Sequence, residues 1–234
     1  MVRVAAVLAV LAVLGFYYGV AEDLPELSQW GNVAFLGLGL MPLTFVLVLL
    51  ALPLWQTGPR ELAVAAVSLV VLTVILETAG LDVAANFVKI AAVAAVAWWF
   101  LGFFEALSWV LLVAVLIIPV DSFSVARGPT KQIVEHQPQV FDALSVAFPL
   151  PGVHSSAQLG LPDILFFSLF LAASARFGLR IGWTWLAMAL SFGMTLGLAV
   201  AFDVSGLPAL PLLSAAFILV NADILWRRYR ERSA

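Results

Sequence analysis

Apolar runs of roughly bilayer-crossing length follow one another along most of this chain, separated only by short polar breaks. A helix needs about 20 such residues to cross the hydrocarbon core, where only helices and closed barrels satisfy their own backbone. The runs cover residues 4–20, 31–55, 62–80, 83–101 and 105–121, and then 161–177, 181–202 and 207–226. They predict an all-α, polytopic membrane helix bundle of about eight transmembrane helices, or nine. Composition agrees: 64% of the 234 residues are hydrophobic and 11% charged, against about half and a quarter in soluble domains.

Residues 127–159 differ in character. They are mixed in polarity and carry Pro129, Pro138, Pro149 and Pro151, so they read as a hydrophilic connecting loop or lid. The chain then divides into an N-terminal set of spans over residues 1–126, that loop, and a C-terminal set over residues 160–234. Arg3 ahead of the first run resembles the start of a secretory signal, but no small-x-small cleavage site follows. Tyr17 and Tyr18 suit an interfacial anchor instead, so a retained helix is expected. Eight spans put both termini on one side, together with Arg60, Arg176 and Arg180, whereas the opposite face holds only Arg127 and Lys131. The positive-inside rule makes the arginine-rich side cytoplasmic.

Several function classes fall away. A net charge of −3 with scattered basic residues gives no stripe for nucleic acid. The chain has no cysteine, hence no disulfide or thiolate site, and His136 and His154 read as solvated loop residues, so no metal is expected. Glu77, Lys89, Glu105 and Asp223 lie near span ends and read as structural, with Lys89 able to pair with a carboxylate on a neighbouring helix. Gly31, Gly37, Gly39, Gly193 and Gly197 read as sites of close helix packing, and the basic stretch 227–232 as an anchor among membrane lipid headgroups.

Two aspartates remain. Asp121 closes one apolar run and Asp163 opens another. A carboxylate inside a span costs roughly 2.5–3.5 kcal/mol even on insertion scales, so its presence points to function. Two carboxylates from facing helices are what aspartic proteolysis needs. Like charges a few Å apart cannot both ionise cheaply, so the pair holds one shared proton. The ionised member deprotonates a water while the protonated one polarises the scissile carbonyl. No cofactor is required. Pro119 and Pro162, close before the two aspartates, are expected to loosen helical backbone there.

The segment Gly160, Leu161, Pro162, Asp163 looks like the Gly-Leu-Gly-Asp motif of the presenilin and signal peptide peptidase family of intramembrane aspartyl proteases, in particular its prokaryotic presenilin-like members. Pro208, Ala209 and Leu210 are similar to that family's Pro-Ala-Leu motif near the last span. Glu105, Trp109, Asp121 and then Arg127, Gly128, Pro129, Val134 and Glu135 resemble its first catalytic segment and the start of its large loop. The likeness covers roughly residues 105–226, and two positions depart from it: Val120 stands where the family has tyrosine, and Pro162 where it has glycine.

The resemblance implies a presenilin-like fold, Asp121 and Asp163 as the catalytic pair, and Gly160, Leu161, Pro162, Pro208, Ala209 and Leu210 as substrate-binding residues. Substrates would be single-span transmembrane proteins, unwound near the cut and paired as a strand beside Pro208, in a prokaryotic plasma membrane. Two membrane aspartates beside prolines equally describe an ion-coupled transporter, although the two halves show no internal repeat. A non-catalytic scaffold of the same fold is the third reading.

Overall fold

The computed structural model describes residues 2–127, 138–204 and 207–233, and shows a bundle of helices with one small hairpin. The helices are α1 (Val2–Val20), α2 (Gln29–Phe35), α3 (Met41–Ala51), α4 (Pro59–Thr78), α5 (Asp82–Leu101), α6 (Leu107–Arg127), α7 (Pro138–Ala143), α8 (Leu161–Arg176), α9 (Ile181–Ala201), α10 (Leu210–Val220) and α11 (Ala222–Ser233). A π-helical turn, Leu36–Leu40, joins α2 to α3, and a 3-10 turn, Leu52–Gln56, ends that segment. Strands β1 (Ser145–Pro149) and β2 (Ser156–Gly160) pair antiparallel.

Among the described residues, six helical segments are long and apolar enough to cross a membrane, or seven if α10 and α11 form one bent span. Their outer faces decide the environment. The apolar windows of α1, α4 and α6 are only 11%, 17% and 11% buried within the protein. Water does not tolerate that much contiguous apolar surface, whereas lipid covers it without penalty. The protein is a multi-pass integral membrane helix bundle.

The expected span over residues 161–177 is α8, and it differs from the others. Its 16 residues reach only about 24 Å at 1.5 Å per residue, short of the ~30 Å hydrocarbon core. Ile164 and every residue from Phe167 to Ser174 are buried, because α8 is packed on all sides by α5, α6, α9 and α10. A helix apolar all round belongs in the centre of a bundle. Phe167 stacks on Phe45 of α3 at 4.2 Å, and Phe170 on Phe217 of α10 at 4.7 Å with ring planes 7° apart. The α8 register is thereby fixed between two neighbours.

The last expected span, residues 207–226, is not one straight helix. It breaks at Asn221, and α11 leaves α10 at 62°. Asn221 is fully buried, and its amide donates to Thr184 Oγ1 at 2.8 Å and accepts from the Arg180 N–H at 3.0 Å. Its amide also donates to Phe217 O at 2.9 Å, the carbonyl that the Asn221 N–H would have bonded in a continuous α-helix. The arginine-rich α11 lies beyond the bend, with Arg180 forked onto Asp223 at 2.7 and 2.8 Å.

The glycine readings resolve into one close approach. A Cβ on Gly37, within the π-helical turn, would lie 2.5 Å from Gly193 Cα on α9, and the reverse distance is 2.7 Å. Only glycine at both positions lets these backbones touch. Lys89 pairs with Glu77 of α4 at 2.7 Å, as its position in a span requires.

The connecting region is more than a loop. The expected loop residues Gly128, Pro129, Lys131, Val134, Glu135 and His136 lie outside the described residues, but beyond them come α7 and the β hairpin, so the fold is not purely helical. The prolines that made this stretch read as loop are compatible with a strand. Pro149 occupies a position whose N–H would point away from β2, so no ladder bond is lost. Val146 and Phe148, both fully buried, alternate with half-buried Ala147 and face the core.

Candidate active site

Asp121 lies on α6, which runs unbroken from Leu107 to Arg127 with Pro119 inside it. The expected unwinding at Pro119 does not occur. The Asp121 carboxylate instead leaves its own helix and accepts the backbone N–H of Leu210 at 3.2 Å through Oδ2. Leu210 is the first residue of α10, whose preceding residue, Ala209, supplies no side-chain cap. The first turn of a helix presents unsatisfied N–H groups and a partial positive charge. Asp121 therefore caps a helix that is 89 residues away in sequence.

Asp163 has an equivalent environment built locally. Gly160 is the N-cap of α8, so Leu161, Pro162 and Asp163 are its first three residues. The Asp163 carboxyl lies against the Gly160 backbone, where the third residue of a helix can reach back towards the cap. Pro162 does not loosen this helix; it starts it. At the second helical position the missing N–H is one that has no intrahelical partner, and the fixed φ suits the turn. Proline in place of the motif's glycine is thus compatible with the local geometry. Gly160 has little room for a side chain, since a Cβ there would lie 3.2 Å from Asp163 Oδ2.

The two carboxylates come from separate helices that pack together. Both are partly exposed, Pro162 is exposed, and Ala209 and Leu210 are buried behind them. Seven of the eight residues singled out in the sequence therefore fall at two helix N-termini, with Leu161 and Pro162 in the first turn beside Asp163 and Pro208 just ahead of α10. Each carboxylate sits at the N-terminus of a helix, whose partial positive charge offsets part of the cost of an acidic group in an apolar bundle. Among the described residues there is no cluster of ligands for a metal ion.

The hairpin was not legible as part of the site, yet it leads into it. Leu161 N–H donates to Leu144 O at 2.9 Å and Leu150 N–H to Ser155 O at 3.0 Å. With Ser145 opposite Gly160 and Ala147 opposite Gln158, antiparallel alternation points the backbone of Ser145, Ala147 and Pro149 away from β2. It likewise points that of Ser156, Gln158 and Gly160 away from β1. The outer edge of β2 thus ends at Gly160, beside the Asp163 carboxyl. Among the described residues, no hydrogen bond from elsewhere in the chain engages the backbone of Ser156 or Gln158 on that edge. The sequence signal was the alternation at Val146, Phe148, Ala157 and Leu159 around Pro151 and Gly152.

No family model and no curated protein matches the sequence.

Proposed function

We propose that this chain is a presenilin-like intramembrane aspartyl protease that hydrolyses peptide bonds of single-span transmembrane substrates. The observation that carries the reading is that two carboxylates, each at a helix N-terminus, come from the packed helices α6 and α8 at the end of an open strand edge. A substrate helix unwound near the cut would pair along β2, where main-chain bonding is tolerant of sequence. Its scissile carbonyl would then come to the aspartates beside Ala209 and Leu210.

The chemistry is complete without other groups. The ionised carboxylate takes a proton from water as the water oxygen bonds to the carbonyl carbon, and the protonated carboxyl gives its proton to the carbonyl oxygen. The gem-diol then collapses: the C–N bond breaks, the nitrogen takes a proton from one carboxyl, and a diol hydroxyl returns its proton to the other. The positive-inside rule sets the arginines of α11 on the cytoplasmic side of a prokaryotic plasma membrane.

The test is direct. Purified protein in liposomes is given a labelled transmembrane peptide, with and without an aspartic transition-state analogue. Cleavage that the analogue stops, and that Asp121→Asn and Asp163→Asn each remove, supports the reading. Ion flux without cleavage indicates a carrier, and neither activity indicates a scaffold.

A further inference from the structure

The outer edge of β1 is closed by side chains from the N-terminal half of the protein, a region with no part in the motifs above. Asn86 of α5 donates to Ala147 O and accepts from Ala147 N–H, both at 3.3 Å. An amide side chain offers one donor and one acceptor, as a residue of a neighbouring strand does. Lys89, one turn on, donates to Ser145 O and to Asp142 O, both at 3.2 Å, while Glu77 holds its ammonium group at 2.7 Å. From α1, Tyr18 donates to Ala147 O and Tyr17 to Pro149 O, each at 2.7 Å. Every outward carbonyl of β1 is therefore occupied, and Pro149 has no N–H to offer.

This arrangement is specific. Lys89 is 8% exposed and Asn86 9%, and buried polar groups within a bundle persist where they meet defined partners. Here those partners are the backbone atoms through which another strand would otherwise add. We propose that Asn86 and Lys89 are positioning residues that act as a surrogate strand on β1, so that a substrate strand adds only at β2, in line with Asp163. The proposal rests on the protease reading. It assigns α5 the task of directing the substrate to one of two strand edges.

The experiment uses the full chain in lipid nanodiscs. Asn86→Leu removes both bonds to Ala147, and the double variant Lys89→Met, Glu77→Gln removes the ammonium without stranding its partner. Asn86→Ser, which shortens the side chain out of reach of Ala147 while keeping a small polar group on α5, is the mildest change and decides the matter if the others fail to fold. Amide exchange of residues 145–148 and 156–160 is measured first, independently of activity. Kinetics and cut position on a transmembrane peptide are measured second. Expected are faster exchange at Ala147, KM raised about tenfold with kcat changed far less, and secondary cut sites from misplaced strands. Lys89→Arg, which retains the donors, should restore the single cut site. Unchanged exchange, or a fall in kcat alone, overturns the proposal. Wild-type protein that cuts nothing refutes the protease reading, while the exchange data still decide whether α5 orders the hairpin.

Discussion

The Leu210 N–H donates to Asp121 Oδ2 at 3.2 Å, so the carboxylate at the end of one apolar run caps the helix that begins another 89 residues later. This bond makes Asp121 both a candidate catalytic group and a structural cap. The two roles separate by substitution. Asparagine caps helices about as well as aspartate, whereas alanine loses about 0.5–2 kcal/mol. Asp121→Ala is therefore expected to unfold several degrees earlier than Asp121→Asn in detergent, with both devoid of cleavage. Equal melting temperatures for the two variants would show that the cap contributes nothing.

Gly160 offers the complementary test at Asp163. Its backbone, at φ −61° and ψ 143°, is open to any residue, so Gly160→Ala introduces no strain in the chain itself. The new Cβ would stand 3.2 Å from Asp163 Oδ2 and displace the carboxyl. Misplacement of a reacting group by even 1 Å costs on the order of 100-fold in rate. Turnover should fall between about tenfold and 100-fold while thermal stability stays within error. A Gly160→Ala enzyme with full turnover would indicate that Asp163 needs no such clearance.

Pro162 has the opposite role from the loosening expected of a proline just before Asp163. As the second residue of α8 it pre-sets a helical φ and forfeits no bond. Pro162→Gly frees the unfolded chain and should destabilise by about 1 kcal/mol. Chemical denaturation of both forms measures this; a glycine variant as stable as the parent contradicts it.

The parts of the fold set by local pattern were readable from residue order, and those set by distant partners were not. Long apolar runs located α1, α4, α5 and α9 to within a few residues, because length and hydropathy are properties of the run itself. The aspartates and Leu210 were likewise visible, as charges in apolar surroundings and a motif near the last span. The bend at Asn221 was hidden because its satisfaction comes from Thr184 and Arg180, some 40 residues earlier. The hairpin was hidden because Pro149 and Pro151 signal loop, and only the pairing register shows that Pro149 sits where no donor is needed. Asn86 carried no signal at all, since its two bonds depend on a strand 61 residues away.

The contact between Gly37 and Gly193 holds the π-helical turn against α9, and its neighbours supply an internal control. Alanine at Gly37 would set a Cβ 2.5 Å from Gly193 Cα, where backbone cannot yield without moving a helix. Overpacking of that kind costs about 1–3 kcal/mol. At Gly197, on the same helix, a Cβ would meet the Val33 Cγ1 at an ordinary 3.6 Å. Gly37→Ala and Gly193→Ala should therefore lower the melting temperature markedly, and Gly197→Ala should leave it unchanged or raise it slightly, because alanine is the better helix former. The two damaging changes address one contact, so the double variant should lose much less than the sum of the singles. Full additivity would place the damage at two separate sites and remove the glycine contact as the brace of the bundle.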